Sequence, residues 1–73
     1  MEMALIIGHN IKTIRTARGM TQVTLARCVG VSQVHISSIE RGERKASISV
    51  LLKIMEALKC SPTDIMKEEE TCG

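Results

Sequence analysis

Residues 21–42 read TQVTLARCVGVSQVHISSIERG, and the fold follows from how that stretch divides. Thr21 has a side-chain oxygen suited to capping a helix, and a short helix running to about Cys28 has Leu25 and Ala26 as its buried positions. Gly30 supplies the residue that a tight turn needs, one that takes positive φ without a steric penalty. Ser32 then caps a second helix, Gln33 to about Glu40. Its Ile36 and Ile39 share one face, while Val34, Ser37, Ser38 and Arg41 share the other. Ala26 is small enough for the two helices to cross closely. Val31, Ile36 and Ile39 anchor the second helix to a core and leave its other face open.

Upstream, Ala4 to Arg18 places Ile7, Ile11 and Ile14 at helical spacing and stops at Gly19. Downstream, the charged turn Arg41-Gly42-Glu43-Arg44-Lys45 leads to Ser47, the cap of a fourth helix. Its apolar stripe is Ile48, Leu51, Ile54, Met55 and Leu58. Ser61 and Pro62 mark a fifth start, cap and first helical residue, with Ile65 and Met66 apolar and Cys60 just before it. No segment alternates as a strand does. The expectation is an all-α fold of five short helices, one domain over residues 1–67 and an acidic tail over 68–73.

Charge is unevenly placed along the chain. Residues 1–45 hold seven basic groups against three acidic ones, and residues 46–73 hold three against five. One half can face a polyanion while the other faces away or toward a partner. The chain has no Phe, Trp or Tyr, which disfavours single-stranded nucleic acid, whose readers stack bases on aromatic rings. Duplex DNA is read through phosphate and base-edge contacts that need no ring.

Other classes find little support. Cys28, Cys60 and Cys72 are odd in number and widely spaced, unlike a secreted disulfide framework, and read as reduced thiols of a cytoplasmic protein, Cys28 and Cys60 as apolar filler. His9 and His35 stand at no metal-ligand spacing with them, so no metal and no cofactor is expected. No phosphate-binding glycine loop, nucleophile elbow or carboxylate pair suggests an enzyme or a small-molecule substrate. No apolar run reaches the ~18 residues of a membrane span, and the N-terminus lacks a signal-peptide pattern.

Two short helices about a glycine turn can hold the second one proud of the surface, where it fits a DNA major groove. The chain resembles the phage repressor and Cro family of helix-turn-helix proteins, also called the Xre family, from about Ile7 to Ile65. The marks are IKTIRTARGMTQ, LARCVGVS, ISSIERG and LLKIMEAL, in that order and spacing. The resemblance implies base contacts from Ser32, Gln33, Val34, Ser37 and Ser38, with Gln33 suited to an adenine and Val34 to a thymine methyl. It implies phosphate contacts from Gln22, which also buttresses Gln33, and from Arg41, Arg44 and Lys45. It further implies a structural salt bridge between Arg15 and Glu40. Ala46 stands where the family often has proline.

These roles add up to a transcriptional regulator that binds a pseudo-palindromic double-stranded DNA operator as a homodimer. The dimer contact is expected in the C-terminal helices, from the fourth helix through Met66. The alternative is a protein-interaction module of the same fold, an antitoxin or an anti-repressor partner.

Overall fold

The computed structural model describes residues 2–68. Five helices follow in order: α1 Met3–Ala17, α2 Gln22–Val29, α3 Gln33–Glu40, α4 Ile48–Leu58 and α5 Pro62–Met66. No strand occurs among the described residues. Of the expected acidic tail, residues 69–73 lie outside the described residues, and Cys72 with them.

The helix starts are written in hydroxyl side chains. Thr21, Ser32, Ser47 and Ser61 each sit in extended backbone and accept from the N–H three residues on, at Thr24, His35, Val50 and Asp64. Each cap satisfies an amide that the helix itself leaves without a partner. At α5 the cap is reciprocal, since the Asp64 carboxylate also accepts from the Ser61 N–H at 3.0 Å. The end of α5 is fastened from across the fold: Asn10 on α1 donates both amide hydrogens, to the carbonyls of Ile65 at 2.6 Å and Lys67 at 2.8 Å.

All five helices contribute to one core. Ile11, Leu25, Ile36, Ile39, Ile54, Leu58 and Ile65 are fully enclosed, with Ala26 and Val29 beside them. At ~1.5–3 kcal/mol for each large aliphatic chain withdrawn from water, this cluster is the main source of stability. Gly30 ends α2 with φ 87°, and its open surroundings show that the turn needs its conformation rather than its size. Gly8 is the opposite case. It lies inside α1 directly over the backbone carbonyls of Ile39 and Glu40, so α1 and α3 cross with no room for a side chain.

Several expectations from sequence need correction. Helix α1 runs one residue earlier at each end, with Arg18 as the cap and Gly19 just beyond it. Ile48 is 78% exposed and no part of the core. As the first residue of α4 it lies about 120° around the helix from Ile54 and about 80° from Leu58, given 100° per residue. Met66, placed by the sequence in the expected subunit contact rather than in the core, is 45% exposed. Cys28 is exposed rather than apolar filler, because Leu25, Ala26 and Val29 occupy the inner face of α2. Cys60 is half-buried.

Candidate nucleic-acid interface

The open side of α3 begins at its N-terminus, where Ser32, Gln33 and Val34 are all exposed. Val34 keeps 68% of its surface, an apolar side chain held out by a helix whose Ile36 and Ile39 are enclosed behind it. Ser37 and Ser38, one turn on, are half-buried. The Ser32 hydroxyl oxygen is occupied by the His35 N–H at 3.1 Å, which leaves its own proton free to donate outward.

Gln33 is held by a chain of polar contacts that starts in the interior. Arg15 on α1 and Glu40 on α3 form a buried pair, with Arg15 Nε 2.6 Å from Glu40 Oε2 and Nη2 3.2 Å from Oε1. The third nitrogen, Nη1, donates to the Met20 carbonyl at 2.6 Å, so the guanidinium is fixed on three sides. Glu40 Oε1 also accepts from Gln22 Nε2 at 3.0 Å. Gln22 Oε1 in turn accepts from Gln33 Nε2 at 2.7 Å.

Chemistry sets the direction of this chain. A carboxylate only accepts, so Gln22 must turn its NH2 toward Glu40 and its carbonyl toward Gln33. Gln33 must then donate to Gln22, keeping one N–H and its carbonyl oxygen unused. One donor and one acceptor on a planar amide are the set that pairs with the N7 and N6 positions of adenine. Sequence reasoning reached the partners Arg15–Glu40 and Gln22–Gln33 through the family resemblance. The link between the two pairs, Gln22 to Glu40, had no sequence signal.

The basic turn after α3 separates into two kinds of cation. Arg41 is engaged, with Ser37 through Nη1 and with Glu43 through two bonds of 3.1 Å. Arg44 and Lys45 are exposed. The structure therefore brings Gln22 to Gln33 and Arg41 to Ser37, while Arg44 and Lys45 stand apart at the start of the connection to α4.

Elsewhere, an open groove of about 370 Å³ runs beside α1, bounded by Asn10, Arg18, Cys60 and Asp64 among others. Burial, and after it the Asp64 charge, pushes the Cys60 thiol up against a smaller pull from Arg18. Its sulfur is thus held protonated, the unreactive form. Among the described residues no three His, Cys, Asp or Glu side chains cluster as a metal site. No described helix is long and apolar enough to cross a membrane.

Comparison with known proteins agrees with this fold. An uncharacterized HTH-type transcriptional regulator, y4dJ of Sinorhizobium fredii, is 32% identical over 66 residues, covering 90% of this chain and 86% of its own. The crystal structure of the restriction-modification controller protein C.AhdI from Aeromonas hydrophila superposes with a TM-score of 0.80 at 32% identity, over 85% of this chain and 94% of that one. The c2 repressor of phage P22, solved in complex with a synthetic operator, gives a TM-score of 0.80 at 36% identity, over 88% of this chain and 97% of that one. Against the full-length repressor of Salmonella phage P22, however, the match spans only 29% of the relative's length. The helix-turn-helix family model matches residues 11–65, which takes in α2, α3 and the enclosed core residues from Ile11 to Ile65. The chain belongs to the helix-turn-helix family.

Proposed function

We propose that this protein is a sequence-specific double-stranded DNA-binding regulator of transcription that lays α3 in the major groove. The observation that carries the reading is the Gln33 amide, held from the core through Gln22 and Glu40 with one donor and one acceptor left for a base edge. Val34 beside it offers an apolar surface to a thymine methyl. Ser32, Ser37 and Ser38 complete the base-facing side. Gln22, Arg41, Arg44 and Lys45 meet the phosphates that fix register without reading sequence. The operator complex of the P22 c2 relative supports the same mode here.

Two substitutions separate these roles. Gln33→Ala is expected to relax discrimination at one operator position by about 1–3 kcal/mol. Lys45→Ala is expected to weaken binding to every duplex and flatten the dependence on salt by about one ion. Gel shifts over a salt series, with duplexes selected from a random pool, measure both. Equal losses on selected and random duplex for both variants would reject the division of labour. Binding that ignores salt would instead favour a protein-interaction role for this face.

A helix of eight residues reads only a few base pairs, so specificity calls for two copies on half-sites about one helical turn, ~34 Å, apart. The exposed apolar side chains Ile48 (78%), Leu52 (58%) and Met66 (45%) supply a self-association surface on α4 and α5. Ile48→Asp is accordingly expected to leave the fold intact and give a monomer by sedimentation equilibrium. A dimer that persists in that variant would move the contact elsewhere.

A further inference from the structure

Glu43 is an acid in the middle of a basic turn, and its position is built rather than incidental. Its backbone N–H is bonded to the Ser38 carbonyl at 3.0 Å, which fixes the turn relative to the last coil of α3. From there its carboxylate meets the Arg41 guanidinium edge-on, Oε2 to Nε and Oε1 to Nη2, both at 3.1 Å. That is the two-pronged geometry in which an arginine takes a phosphate. The remaining nitrogen, Nη1, is turned toward the Ser37 hydroxyl on α3. The fork is thus held beside the base-facing side of α3 with its phosphate-binding edge already filled.

We propose that Glu43 is an internal stand-in for a DNA phosphate on Arg41, so that Arg41 contacts DNA only where a phosphate is close enough to displace the carboxylate. The inference rests on the DNA-binding reading above and adds a determinant of specificity to it. An unpaired Arg41 would attach to any duplex and strengthen random and operator binding alike. A pre-paired one contributes little to loose, mobile complexes and engages when α3 is fully seated. The displacement is easy, because both partners are more than half exposed, 53% and 61% for the side chains, and water screens such pairs strongly. The hydrogen bonds, and after them the charge attraction, still hold the Glu43 carboxyl below its usual range and the Arg41 guanidinium above its own. Both groups carry their charges near neutral pH, where the pair can form. By contrast Arg44 and Lys45, on the same turn, have no such partner among the described residues.

The test is E43Q, R41Q and the double variant against a random-sequence duplex two helical turns long, titrated over a range of salt. E43Q is expected to bind about two- to fivefold tighter at low salt, the scale of one exposed ion pair. Its logarithmic salt slope should steepen by about 0.9, one more counterion released. In the R41Q background, E43Q is expected to change neither quantity. Equal tightening in both backgrounds would mean that Glu43 merely repels DNA, and would overturn the proposal. So would unchanged binding by E43Q while Lys45→Ala still weakens the complex, an outcome that leaves the DNA reading standing. No retardation of the duplex by the unsubstituted protein would remove both.

Discussion

Replacing Gly8 by alanine is expected to destabilise the fold by about 3 kcal/mol, the upper part of the range for overfilling a closed interior. The added Cβ would fall on the Ile39 carbonyl oxygen, 2.8 Å from the Glu40 carbonyl oxygen and 3.0 Å from the Glu40 carbonyl carbon. These are backbone atoms of the last turn of α3, which cannot swing aside as a flexible side chain does. Helix propensity argues the other way, since alanine inside a helix is favoured over glycine by ~1 kcal/mol. The sign of the change therefore decides between local preference and packing. For a domain of this size the loss corresponds to a fall in melting temperature of about 12 °C or more. Far-ultraviolet circular dichroism is the suitable probe, as the chain has no aromatic side chain to report unfolding. A melting temperature that stays or rises would show that α1 and α3 do not approach as closely as this geometry requires.

Gly8 also shows where sequence reading reaches its limit. The hydroxyl caps at Thr21, Ser32, Ser47 and Ser61 were legible because a cap is a local device, closed within three residues. The enclosed positions Ile36, Ile39, Ile54 and Leu58 were legible because helical period repeats within the same segment. Gly8 carries neither signal. Its meaning comes from residues 39 and 40, more than thirty positions away, and a glycine in a helix looks locally like a weak point. The same holds for Asn10, whose partners lie 55 and 57 residues on.

Ile48 failed for a related reason. Periodicity ranks it with the core stripe, but only the direction in which α4 meets α2 decides which edge of a wide apolar arc is covered. In the candidate interface, composition identified Glu43 as an acid among cations. Only the folded arrangement shows that the carboxylate grips Arg41 while it stays largely exposed. The long-range pairs Arg15–Glu40 and Gln22–Gln33 came into view only through resemblance to relatives, since no period connects residues that far apart.

Removing Arg15 alone, as Arg15→Met, is expected to cost about 3–5 kcal/mol, because it leaves the Glu40 carboxylate enclosed without a counter-charge. Glu40 has a side chain only 2% exposed, so water cannot take the place of the guanidinium. A buried ion pair contributes little net stability over apolar residues of similar shape, however. The double variant Arg15→Met with Glu40→Leu is therefore expected to recover most of the loss in urea or thermal unfolding. It should not recover DNA discrimination.

Leucine at position 40 removes the acceptor that turns the Gln22 amide, and with it the constraint that presents Gln33. Preference at the base pair proposed for Gln33 should then fall by up to ~1–3 kcal/mol in a protein of nearly normal stability. Arg44 and Lys45, two of the phosphate contacts proposed above, are untouched by the exchange, so most of the affinity for random duplex should hold. A double variant that is stable and still discriminates would show that Gln33 needs no support from the interior. One that stays unstable would show that the two charges contribute net stability here. Stability and specificity are separable in this fold if the pair serves chiefly to aim a side chain, and the double exchange measures that separation directly.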